Sequence, residues 1–155
     1  MKKLRKFLRL NPSERQTLAG CLIVLPLTAL VLRLTGFRRC QQIFSRFIPH
    51  NSAPETEQLG VALTQALRIS YLVNLAATRG VFPANCLQRS LALWWLLCRQ
   101  GIRSELRFGA RKEAGRFEAH AWIEIAGVVL NDSADVRRRY ATFDSATRES
   151  IAGSL

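Results

Sequence analysis

NCLQRSLALWWLLCRQGI (residues 85–102), followed by RFEAHAWIEIAGVVLND (residues 116–132), decides the architecture of this chain. In the first stretch Leu87, Leu91, Trp94, Trp95, Leu96 and Leu97 mark an apolar helix over residues 85–100, which Gly101 ends. In the second stretch apolar and polar residues alternate, as they do in half-buried strands. Strands are expected over residues 102–111, 117–125 and 128–131, with turns at Lys112-Glu113-Ala114-Gly115 and Ala126-Gly127. A fourth strand is expected over residues 140–144, after the Arg137-Arg138-Arg139 run, which reads as a solvated loop. Upstream, residues 55–77 read as another helix, with Ser52 and Glu55 as its capping box. Its stripe is Leu59, Ala62, Leu63, Ala66, Leu67, Ser70 and Val73. Helices first and strands later predict an α+β fold.

The chain has 155 residues and a formal charge of +12, and the charge is unevenly spread. Residues 1–50 carry ten basic residues against the single acid Glu14, a net +9, while residues 51–155 carry a net +3. This divides the chain into a basic, apolar helical segment (1–50) and a core (51–155), separated by the linker Pro49-His50-Asn51-Ser52-Ala53-Pro54. Residues 16–32 hold no charge, and Asn11-Pro12-Ser13-Glu14 before them looks like a helix start. The run is short for a membrane span, contains Pro26, and lacks a signal-peptide cleavage site after it. The preferred reading is a helix packed on the protein or lying on a membrane surface; residues 37–48 add a second short helix. Basic charge beside an apolar stretch favours an anionic membrane over nucleic acid.

Four cysteines occur, Cys21, Cys40, Cys86 and Cys98, with no C-x-x-C pair. That spacing makes neither a zinc site nor a disulfide framework, so no metal and a reducing, cytoplasmic setting are expected. Cys86 stands in the first turn of the apolar helix. There the free backbone N–H groups and the partial positive charge of the helix end stabilise a thiolate. The same groups offer donors to an oxyanion. The bland alternative is a small buried hydrophobe, the usual fate of a free cysteine. His120 lies inside a strand; the other histidine, His50, is in the linker, so His120 is the candidate base.

Hairpin register proposes the third member. With a three-residue loop, Ile125-Ala126-Gly127, His120 faces Asp132, and a carboxylate there fixes the imidazole tautomer. With a two-residue loop, Ala126-Gly127, the register shifts by one and Asn131 comes nearer, giving a Cys–His–Asn set. The three-residue loop is the preferred reading. Trp122, two residues from His120 on the same strand face, lines a substrate groove or packs the core.

Cys86-Leu87-Gln88-Arg89-Ser90-Leu91-Ala92-Leu93, Gly101-Ile102, Arg107-Phe108-Gly109, Ala119-His120-Ala121-Trp122-Ile123-Glu124 and Gly127-Val128-Val129-Leu130-Asn131-Asp132 occur in that order. Together they resemble the transglutaminase-like, papain-related core of lasso peptide leader peptidases, the microcin-processing family, over residues 55–145. The basic, leucine-rich N-terminal segment resembles the start of the family's stand-alone members. The resemblance implies a cysteine peptidase that removes the leader from a ribosomally made precursor peptide before a separate cyclase closes the macrolactam. It implies Cys86 as nucleophile, His120 as base and Asp132 as orienting acid. Arg89 matches the family's arginine one turn after the cysteine, with a supporting role toward substrate or fold; Trp122 and Asn131 are further support candidates. Residues 1–50 are too few and too helical for the leader-recognition domain that some members carry, so a separate leader-binding protein is implied. No cofactor is expected, since no Gly-rich phosphate loop is present. Transamidation or deamidation by the same residues, or a non-catalytic membrane-associated adaptor, are the competing readings.

Overall fold

The computed structural model describes residues 12–46, 59–80 and 83–142. Outside those residues lie the Asn11 cap, the end of the second short helix at 47–48, the linker with its Ser52–Glu55 capping box, the helix start at 55–58, and any strand beyond Thr142. The element order is α1 (Pro12–Ser45), α2 (Leu59–Arg79), α3 (Cys86–Arg99), β1 (Glu105–Glu113), β2 (Arg116–Ile125), β3 (Val128–Val129), α4 (Val136–Arg139) and β4 (Ala141–Thr142). The strands form one antiparallel sheet in the order β3-β2-β1-β4. This is the mixed α+β architecture that the sequence predicts.

The apolar run and the second short helix of the N-terminal segment join in α1, broken only at Gly36, which is non-helical at φ 74° and ψ 175°. Glycine takes that conformation at little cost, so the chain bends there without strain. Leu18, Cys21, Val24 and Leu25 of α1 share one core with α2, α3, Ile123 and Ile125. By length and composition, α1 (over Arg15–Cys40) and α2 are each apolar enough to cross a membrane. The buried side of α2 is Ala66, Ile69, Ser70, Leu72, Val73, Ala76 and Ala77. Ala66, Ser70 and Val73 of the predicted stripe are buried, and Leu59, Ala62 and Leu63 pack against the core, whereas Leu67 is 45% exposed. Ile69, Leu72 and Ala76 outweigh it as the inward arc.

Successive residues of β2 face opposite ways. Ile123 and Ile125 pack against the helices, whereas Trp122 joins Val136 and Tyr140 in a separate cluster on the other face. His120 shares that second face: its ring stacks on Tyr140 at 4.8 Å between centroids and lies 6.1 Å from Trp122. Opposite His120 on β1 stands Gly109. A Cβ there would lie 2.9 Å from the Tyr140 Cβ and 3.0 Å from both the Ala141 oxygen and the Trp122 ring. Only a glycine lets these groups close over the histidine.

The hairpin register departs from the preferred reading. Ile125 pairs with Val128 and Glu124 with Val129, so the loop is the two residues Ala126-Gly127. Both have positive φ, 46° and 82°, as a two-residue hairpin turn of this hand requires. A three-residue loop asks for the left-handed conformation at Gly127 alone, whereas here Ala126, a residue that resists it, adopts it as well. The Arg137-Arg138-Arg139 run is also more than a solvated loop. It forms most of the one-turn α4, and two of its arginines reach inward, as described below.

Candidate active site

Cys86 is the first residue of α3. The Asn85 side chain accepts from the Gln88 amide at 2.9 Å, and the Gln88 side chain accepts from the Asn85 amide at 3.0 Å, a reciprocal cap. This leaves the Cys86 and Leu87 amides at the helix end without an acceptor among the described residues. Arg89 donates from Nε to the Ala84 carbonyl at 2.8 Å, anchoring the connector on which Cys86 begins. Cys86 is partly exposed. Burial pushes the Cys98, Cys21 and Cys40 thiols up to about 11, which keeps them protonated at neutral pH.

On the sheet, His120 Nε2 and Asp132 Oδ2 are 2.5 Å apart, with the two side chains 18% and 20% exposed. The other carboxylate oxygen accepts from the Ser133 amide at 2.7 Å, the Ser133 hydroxyl at 3.1 Å and Arg139 at 2.8 Å. Burial would push the Asp132 carboxyl up, but the hydrogen bonds from His120 and Ser133 outweigh it and hold the group below the ordinary carboxylate range. An ionised carboxylate only accepts, so Nε2 is the donor, and the neutral ring held this way has its lone pair on Nδ1. Asp132 thus reaches His120 although the register is the one in which Asn131 was expected to.

The reason is where the ladder stops. At Ile123–Leu130 only one of the two expected bonds forms, from the Leu130 amide to the Ile123 oxygen at 3.0 Å. The Leu130 carbonyl is taken instead by the Ser70 hydroxyl of α2 at 2.8 Å. The Ile123 amide donates to the Asn131 side chain at 2.8 Å, and the Ala121 carbonyl accepts from the Ser90 hydroxyl at 2.9 Å. Asn131 Nδ2 closes the set onto Ser90 Oγ at 2.9 Å. Side chains replace the missing strand, and Asp132, released from pairing, turns back to His120. The Asn131 side chain bonds to the Ile123 amide and to Ser90, and no hydrogen bond joins it to the imidazole among the described residues.

Ser90 is four residues after Cys86 and shares its helix face with Leu93 and Leu97. Its bond to Ala121, the neighbour of His120, seats the first turns of α3 along the open edge of β2. No hydrogen bond joins the Cys86 thiol to His120 among the described residues. The structure joins His120 to Asp132, while Cys86 enters the candidate set by its place at the start of α3. Trp122 is fully buried and donates from Nε1 to Glu124 at 2.6 Å, so it packs beneath the site rather than lining a groove. Glu124, itself 1% exposed, is also paired with Arg137.

Sequence reading missed Ser70, Ser90, Arg139 and Tyr140. Ser90 carried a signal, a polar residue at helical spacing from Cys86 inside an apolar run; Arg139 was hidden in a charge run. Among the described residues no cluster of His, Cys, Asp and Glu is placed to hold a metal ion.

The chain is 35% identical over 57 residues to the microcin J25-processing protein McjB of Escherichia coli, a match covering 37% of this chain and 26% of that protein. The matched stretch is therefore about a quarter of the relative's length. No solved structure matches. A profile of the transglutaminase-like superfamily matches residues 29–144, most of the chain and all of the site described above. The protein belongs to the transglutaminase-like superfamily.

Proposed function

We propose that this protein is a cysteine peptidase that removes the leader from a ribosomally made lasso precursor peptide, with Cys86, His120 and Asp132 as its reacting set. The observation that carries the reading is the His120–Asp132 pair, which leaves Nδ1 as the free basic nitrogen. The similarity to a microcin-processing protein supports peptide processing as the setting. In this reading Nδ1 takes the Cys86 proton, and the sulfur attacks the carbonyl carbon of the last leader residue. The Cys86 and Leu87 amides hold the oxyanion. The C–N bond breaks, and the core peptide's new amine leaves with the proton from Nδ1. Water, deprotonated by Nδ1, then hydrolyses the thioester and frees the leader carboxylate and the thiol. In this reading the imidazole already activates the thiol in the free protein, and precursor binding tightens the contact, as catalytic hydrogen bonds commonly do in the substrate complex. Asp132 holds the tautomer throughout and is not itself protonated.

The reading places a separate leader-binding protein before this step and a cyclase after it, with the expected setting the cytoplasm. Members of the superfamily share thiol acyl transfer, so transamidation or deamidation is the nearest alternative; it differs only in the acyl donor and acceptor. Incubating the purified protein with precursor and leader-binding protein, and reading intact masses, separates the two. Wild type is expected to release a free leader and Cys86→Ala to release none. Cleavage by Cys86→Ala would remove the triad. A glutamine-derived product without cleavage would select the alternative.

A further inference from the structure

Around its axis α1 is apolar on two opposed arcs. At about 100° per residue, the buried Leu18, Cys21, Val24, Leu25 and Thr28 fall on one side. That side packs into the core with α2 and α3. Leu22, Ile23, Leu27, Leu30 and Leu34 fall on the other side, within an arc roughly 140° wide. These five are between 43% and 73% exposed. A helix that met only water on this side would carry polar residues there, and five large aliphatic side chains on one arc make a continuous patch rather than scattered exposure.

Basic residues flank the patch in the sequence. Lys2, Lys3, Arg5, Lys6 and Arg9 precede it in the sequence, and the exposed Arg33, Arg38 and Arg39 follow it. Between them residues 16–32 carry no charge. An aliphatic strip with basic ends matches the boundary of an anionic bilayer. The aliphatic side chains enter the acyl region, while lysines and arginines reach the headgroup phosphates. A second copy on this face would bring two segments of net +9 together, which the repulsion opposes. A membrane crossing would require the inner arc to leave the core.

We propose that α1 lies in the surface of an anionic membrane, its outer arc inserted, and holds the protein there. The proposal goes beyond the peptidase reading and does not depend on it. Flotation of the full chain with phosphatidylcholine vesicles, with and without phosphatidylglycerol, tests it. Wild type is expected to float with the anionic vesicles and not with phosphatidylcholine alone. The double variant Ile23→Glu/Leu34→Glu should lose at least about tenfold in binding with an unchanged thermal melt, since both positions are exposed. Replacing Arg33, Arg38 and Arg39 together by Gln should weaken binding, as should added salt. Failure of wild type to float with either vesicle would overturn the proposal. So would a lipid-free dimer that Ile23→Glu dissociates, or a membrane-bound form that resists alkaline carbonate, the mark of a spanning helix.

Discussion

One carboxylate illustrates how much a residue depends on its neighbours here. Asp132 offers one oxygen to His120 and the other to Ser133 and Arg139, so its orientation is fixed from two sides. Asp132→Asn keeps the shape but presents an amide that can turn its N–H toward Nε2, which favours the wrong tautomer. On the proposed mechanism, leader release should fall by at least about a hundredfold. Arg139→Gln, which leaves Asp132 charged, should cost less, near tenfold. Rates of leader release for both variants check the order, and a larger loss in Arg139→Gln would contradict it. The candidate residues Cys86, His120 and Asp132 were legible because each belongs to a recognisable local pattern. Arg139 and Tyr140 were not, because their contacts with the site come only from the return of the chain after β3.

Among the elements, the two-residue β3 matters most. The sequence reading found the meander, the turn positions and the α3 boundaries to within a residue or two. It missed the register, because Ala126 is a poor residue for the left-handed position it occupies. The expected pairing of His120 with Asp132 nevertheless occurs by a different route, through the early end of β3 and the polar replacements from Ser70, Ser90 and Asn131. Gly109 is the element-scale counterpart on the other side of His120. Gly109→Ala would push against backbone and ring atoms within 3.0 Å. The expected loss is about 1–3 kcal/mol of stability, and the stacking of Tyr140 on His120 should loosen. Denaturant unfolding reads the first effect, and the rate of leader release reads the second. An unchanged midpoint would show that β4 is not held as described.

For the whole molecule, α2, α3 and the last turn are tied to the sheet by a small number of buried polar bonds, and α1 joins through the apolar core. Burial would push the Glu124 carboxyl up, but Arg137 and Trp122 outweigh it and hold it below its ordinary value; Asp132 is held down in the same way. A carboxyl with a depressed folded-state pKa stabilises the fold above its unfolded value, near 4 for both residue types. That contribution is lost as pH falls through the folded value, because the unfolded chain binds more protons. Stability should therefore be flat through neutral pH and decline below about pH 4. The decline should be smaller in Glu124→Gln than in wild type, whatever the variant's baseline. Thermal melts across that range check the slope, and parallel curves would show that Glu124 does not contribute. The α+β arrangement was legible from helix-then-strand texture. The two-sided character of α1 was not, since an apolar run carries no mark of which arc the core will take.

The central claim is that Cys86 is the activated thiol and His120 its base, and alkylation by iodoacetamide at neutral pH, resolved by peptide mapping, tests it without any substrate. The account predicts that Cys86 reacts at least about tenfold faster than Cys98 and that His120→Ala removes most of this advantage. Equal rates at Cys86 and Cys98, or a Cys86 rate unaffected by His120→Ala, would contradict it.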